Sequence, residues 1–124
     1  MRRTEAVSAQ ASIRALRAAL PAAWSPASSS LWTPESPAAG QCGVTALVVQ
    51  DHLGGDILKT PWRGIWHFYN RLDGARHDVT GSQFDAPLAY EDLPATRAEA
   101  FADTNSAQYA ALSGRLDRIL RDGA

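Results

Sequence analysis

The chain has 124 residues, with 12 basic and 13 acidic side chains and a formal charge of −1. That length suits one domain able to bury roughly two-thirds of its unfolded surface. The near-balanced charge argues against a nucleic-acid or anionic-membrane binder, which would carry a basic excess. A 45% hydrophobic content with four tryptophans is that of a folded chain. The single cysteine, Cys42, excludes an internal disulfide and a cysteine-rich zinc site. No run approaches the roughly 18 apolar residues of a membrane span.

Arg2 and Arg3 could head a signal peptide, but Glu5, Gln10, Arg14 and Arg17 interrupt any apolar segment behind them. The Arg-rich start is closer to an organellar transit peptide. Arginine dominates throughout, however, and Lys59 is the only lysine. This is therefore a compositional bias, and a cytoplasmic protein is expected.

Taken in chain order, residues 1–23 predict a first helix from about Thr4 to Leu20, with Ile13, Leu16 and Leu20 on one stripe and Pro21 as its stop. Residues 25–41 form a Ser/Pro-rich loop that Trp24, Leu31 and Trp32 could pin to the body, and a long loop of this kind is a candidate lid. A second helix is expected from Cys42 to Leu53. Val44, Ala46, Leu47, Val48 and Val49 cover most of its circumference, which marks a buried helix, and Gly54-Gly55 ends it. A strand from Asp56 to Thr60 follows, stopped by Pro61. The segments Gly64–Leu72 and Ala75–Thr80 flank Asp73-Gly74, the signature of a two-residue type I′ hairpin. The core thus spans residues 42–90, and a helical region spans 96–121, with Thr96 and Glu99 as a capping box and Thr104 or Asn105 capping the last helix. The fold class is α+β, a central helix packed on a small antiparallel sheet, in one domain over residues 1–124.

Three residues point to chemistry. Cys42 opens a helix, where free N–H groups and the helix dipole favour a thiolate. In the hairpin, Leu72 faces Ala75, Tyr69 faces Asp78 and His67 faces Thr80. Strand alternation then puts His67, Tyr69, Asp78 and Thr80 on one face, while Asn70, opposite His77, points to the other. His67 and Asp78 are diagonal neighbours within reach of each other. A cysteine nucleophile needs a base, and the base needs an orienting group. Cys42, His67 and Asp78 are the candidates, with Asn70 excluded as orienter by its parity. Trp32 and Trp62 could wall a substrate cleft. Cys42, His67 and His77 have metal-ligating chemistry but no short spacing motif, so neither metal nor other cofactor is expected.

A helix-initial cysteine followed by histidine and aspartate on successive strands resembles the order in papain-like and transglutaminase-like folds. The run from His67 to Thr80 looks like a transglutaminase-like histidine-to-aspartate hairpin. More closely, the segments Leu31–Pro37, Gly40–Asp51 and Gly54–Leu58, continuing through the hairpin to Gln83-Phe84, resemble the YunG-type family of small bacterial proteins over roughly residues 24–112. The papain-like resemblance implies Cys42 as nucleophile, His67 as base and Asp78 as orienter. Asn70 and Tyr69 of the hairpin are secondary candidates beside these three. Papain-like proteases place an oxyanion glutamine several residues before the cysteine. Gln41 is immediately adjacent, so the Cys42 backbone N–H is the better-suited donor. The expected activity is amide or peptide cleavage or transfer through a thioester on a small acyl or peptide substrate. The alternative is a non-catalytic module that binds a peptide or protein partner along a sheet edge.

Overall fold

The computed structural model describes residues 5–123, with side chains from Ile13 onward. The expected start at Thr4, and the side chains of the Arg-rich segment before Ile13, lie outside the described residues. The elements are α1 (Glu5–Ala23), α2 (Cys42–Leu53), β1 (Asp56–Trp62), β2 (Ile65–Leu72), β3 (Ala75–His77), β4 (Leu93–Ala95), α3 (Arg97–Ala102) and α4 (Ser106–Asp122). The four strands form one antiparallel sheet in the order β3-β2-β1-β4. The α+β class is therefore as expected. No described helix is long and apolar enough to cross a membrane.

The hairpin forms as its turn chemistry dictates. Asp73 and Gly74 take φ of 51° and 78°, the left-handed pair that a type I′ turn requires, and Leu72 faces Ala75. Thr96 and Glu99 close a capping box on α3, and Asn105 caps α4 by accepting the Gln108 N–H at 2.8 Å.

Three boundaries depart from expectation. Pro21 sits inside α1, which runs on to Ala23, because one missing donor within the last turn costs little when the Trp24 N–H still closes on the Leu20 carbonyl at 2.9 Å. β1 passes through Pro61 to Trp62. Pairing with β4 covers only Ile57 to Lys59, so the proline's missing N–H falls beyond that partner. The third departure matters most. β3 stops at His77, so the expected pairs Tyr69–Asp78 and His67–Thr80 do not form, and the first half of β2 keeps an open edge on the β3 side.

The sheet is covered on both faces. On one side Ile57, Phe68 and Leu72 meet α2, whose Val44, Leu47, Val48 and Val49 are each no more than 1% exposed. α1 and α4 pack behind α2 through Leu16, Leu20, Leu112 and Leu116. On the other side, the segment from Asp78 to Asp92 lies across Thr60, His67 and Tyr69. Thr60 Oγ1 donates to the Ala89 carbonyl at 3.2 Å and accepts the Glu91 N–H at 3.0 Å, and the Tyr69 hydroxyl meets Asp92 at 2.9 Å. This strap buries three polar side chains that an uncovered sheet face would expose.

The Ser/Pro-rich loop is tied down by its own side chains. Ser29 Oγ donates to the Ala39 carbonyl at 2.9 Å and accepts the Leu31 N–H at 3.1 Å. Gly40, at φ 72°, permits this closure, since a Cβ there would lie 2.4 Å from the Ser29 hydroxyl oxygen. Its Trp32 packs against the helical core.

Candidate functional site

The N-terminus of α2 abuts the open edge of β2, and a cleft of about 210 Å³ lies there. Cys42, His67 and Asp103 all line it, together with Trp62, Trp66 and Phe84. Two expected residues, Cys42 and His67, thus share one cavity although they come from opposite sides of the sheet. They can do so because β3 is too short to close the edge between them.

His67 is 1% exposed, and its Nε2 meets Asp78 Oδ2 at 2.8 Å. The strand pairing that should have aligned them is missing, yet the chain just past β3 delivers the carboxylate anyway. Tyr90 from the strap donates its hydroxyl to the same oxygen at 2.6 Å. The ring also stacks on Tyr69, at 5.7 Å between centroids, and meets Phe84 edge-on at 4.7 Å. With Nε2 engaged, Nδ1 has no hydrogen-bond partner.

Cys42 is 8% exposed, and its Sγ donates to Asp103 Oδ2 at 3.4 Å. The same oxygen accepts the Gly43 N–H at 3.1 Å, so Asp103, just past α3, caps α2 from outside the helix. Gly43 is required for this approach, because a Cβ would lie 2.6 Å from that oxygen and 2.8 Å from the Ala100 carbonyl oxygen. The expected thiolate is corrected here. Burial and then the Asp103 carboxylate push the Cys42 thiol up to about 12, outweighing the backbone N–H groups of Phe68 and Gly43 that favour the anion. The helix terminus does attract a negative charge, but Asp103 supplies it. Partial loss of water raises the Asp103 carboxyl in turn, against the bonds from Cys42 and Gly43.

The other expected residues divide. Trp62 lines the cleft, with its ring 4.7 Å from Phe84. Trp32 does not line it and faces the core instead, because the loop folds back through Ser29. Gln41 is fully buried behind the cysteine with neither amide atom bonded and is not part of the cleft lining, which removes it as an oxyanion donor. Asn70 faces α2, as its parity requires, and donates to the Ala46 carbonyl at 3.1 Å. Tyr69 is engaged with Asp92. Among the described residues no three His, Cys, Asp or Glu side chains group as metal ligands.

Asp103, Tyr90 and Trp66 escaped the sequence reading. Nothing local signals the first two, which act across 61 and 12 residues on their partners. Trp66 precedes His67 in β2 and by alternation points to the opposite face, but its position at the strand end brings it to the cleft.

No solved structure matches the chain. The chain is similar to the uncharacterized protein YunG of Bacillus subtilis (strain 168), 57% identical over 86 residues that cover 69% of this chain and 75% of that protein. The profile of the YunG protein family matches residues 12–121, from within α1 to the last turn of α4 and so across every element that builds the cleft. The chain belongs to the YunG family.

Proposed function

We propose that this protein is a cysteine-dependent acyl-transfer enzyme with a papain-like or transglutaminase-like site, cleaving or transferring an amide through a thioester on Cys42. The observation that carries this reading is the His67 ring. Its Nε2 is committed to Asp78, its Nδ1 is bare, and it lines the same cleft as the sulfur. A ring held this way, with its proton on Nε2, has one lone pair to offer, at Nδ1.

In the proposed reaction the Cys42 proton passes to Nδ1 as sulfur attacks the carbonyl carbon, and Asp78 stabilises the imidazolium. The backbone N–H of Cys42 at the helix start is suited to the developing oxyanion. The C–N bond then breaks, and the leaving nitrogen takes the proton from Nδ1 to depart as an amine. Water or a second amine resolves the thioester by the same proton route, returning the free thiol with an acid or a new amide. Because the resting thiol is held protonated, proton transfer accompanies attack and does not precede it.

One observation favours a second reading, a peptide-binding module without catalysis: a thiol at about 12 is a poor nucleophile near neutrality. Treating the protein with a panel of activated esters and amide electrophiles, followed by mass spectrometry, separates the two. The enzyme reading expects one acyl adduct on Cys42. His67→Ala should slow it by about a hundred-fold or more, and Asp78→Asn by at least about ten-fold. No adduct from any member, or an unchanged rate in His67→Ala, leaves the binding module.

A further inference from the structure

Asp103 is the carboxylate of the cleft that no lysine or arginine answers. Its Oδ2 takes the Cys42 S–H and the Gly43 N–H, and among the described residues no lysine or arginine pairs with it. A carboxylate set into a largely apolar cleft is costly until a cation joins it. The walls favour a cation with an apolar body. Ile65 is 62% and Trp66 43% exposed beside Trp62 and Phe84, and two of these rings already carry cations, Lys59 Nζ 4.4 Å from the Trp66 centroid and the Arg63 guanidinium 4.5 Å from that of Trp62. A second, independent polar group of the cleft is also without a partner: the buried His67 ring lines it with Nδ1 unbonded.

The spacing narrows the choice. Asp103 Oδ2 and Cys42 Sγ are 3.4 Å apart. In an aminoacyl group the α-nitrogen and the carbonyl carbon, joined through one Cα, are about 2.5 Å apart. An α-ammonium seated on Oδ2 can therefore hold its own carbonyl carbon within attacking range of the sulfur, about 3–3.5 Å, when the acyl group turns toward Cys42. An anionic ligand would meet Asp103 instead.

We propose that the cleft takes an aminoacyl amide or peptide amino terminus, with its free α-ammonium on Asp103 and an apolar side chain against Trp62 and Trp66. The chemistry of this proposal rests on the acyl-transfer reading; the binding does not. The ammonium also displaces the thiol hydrogen from Oδ2, which frees the S–H to turn to His67 Nδ1. Substrate binding then prepares the nucleophile, and the Cys42–Asp103 contact is the resting state of the site.

The test uses the Cys42→Ala protein, which cannot turn a ligand over. L-phenylalaninamide and N-acetyl-L-phenylalaninamide are titrated by calorimetry and by tryptophan fluorescence. The free amine should bind at least about ten-fold tighter than the blocked one, the scale of one charge-assisted contact. Adding Asp103→Asn, which keeps an acceptor for Gly43, should erase the preference. Equal binding, tighter binding of the acetylated ligand, or no saturable binding of either overturns the proposal. In the intact protein, a Cys42 adduct that forms as readily from N-blocked as from free-amino acyl donors overturns it while sparing acyl transfer. A preference retained by the binding-only protein with no adduct ever forming on Cys42 sustains the ammonium site and removes the acyl-transfer reading.

Discussion

At the scale of single residues, Asp78 decides how well His67 is held. Its Oδ2 receives both the His67 Nε2 and the Tyr90 hydroxyl, while its Oδ1 is buried without a partner. One carboxylate oxygen thus ties His67 of β2 to both Asp78 and Tyr90 of the strap. Tyr90→Phe deletes one of its two donors and leaves the ring volume in place. The expected loss is about 1 kcal/mol of unfolding free energy, the usual net value of one such bond. If Tyr90 positions the pair, the rate of Cys42 acylation should fall several-fold, whereas a purely structural tyrosine would lower the melting temperature and leave that rate unchanged. Paired thermal melts and adduct-formation kinetics read the two effects separately.

At the scale of elements, the parts legible in the sequence were those fixed by local chemistry. Asp73-Gly74 dictates a turn, the turn dictates the register from Leu72 and Ala75, and the register dictates which face Asn70 takes. The helix at Cys42 was legible for the same reason, as an apolar run closed by two glycines. What sequence patterning could not supply was where β3 ends, since strand length depends on what the following segment finds to bond. Asp78 leaves the ladder because His67 and Tyr90 engage its side chain, and the edge left open is where the cleft forms. Asp103 was illegible because it belongs to α3 by sequence and to α2 by contact. Asn70 supplies a test of the helix–sheet layer. Its Nδ2 donates to the Ala46 carbonyl in the middle of α2, and the side chain is 2% exposed. Asn70→Ala loses that bond and opens a small cavity, for an expected cost of about 2 kcal/mol. Urea unfolding should register it as a lower midpoint at unchanged slope, with the Cys42 acylation rate within about two-fold of wild type. A rate loss exceeding that of Asp78→Asn would instead make Asn70 the orienting group.

At the scale of the whole molecule, three layers converge on the cleft: helices behind, sheet between and strap in front. Cys42 sits at their junction, so the cost of burying it belongs to the stability of the entire fold. Its thiol is held near 12 in the native protein and ionises near its ordinary value of about 8.5 once unfolded. Between those two values the unfolded chain binds fewer protons than the native one, so the thiol's contribution to stability is complete below about pH 8.5 and declines as the pH rises. The decline approaches about 1.4 kcal/mol per pH unit. Tyr69 and Tyr90 are also raised above the ordinary tyrosine range, mainly by burial, and they destabilise the native state at high pH in the same direction. Comparison with Cys42→Ala removes their share, since both proteins carry them. Urea unfolding of the two proteins from about pH 8 to 11 should show wild type losing ground to the variant by an amount on the order of 3 kcal/mol over that span. Parallel curves would mean that the sulfur ionises in the folded protein as easily as in the open chain, and a resting thiol locked by burial and Asp103 would then have to be given up.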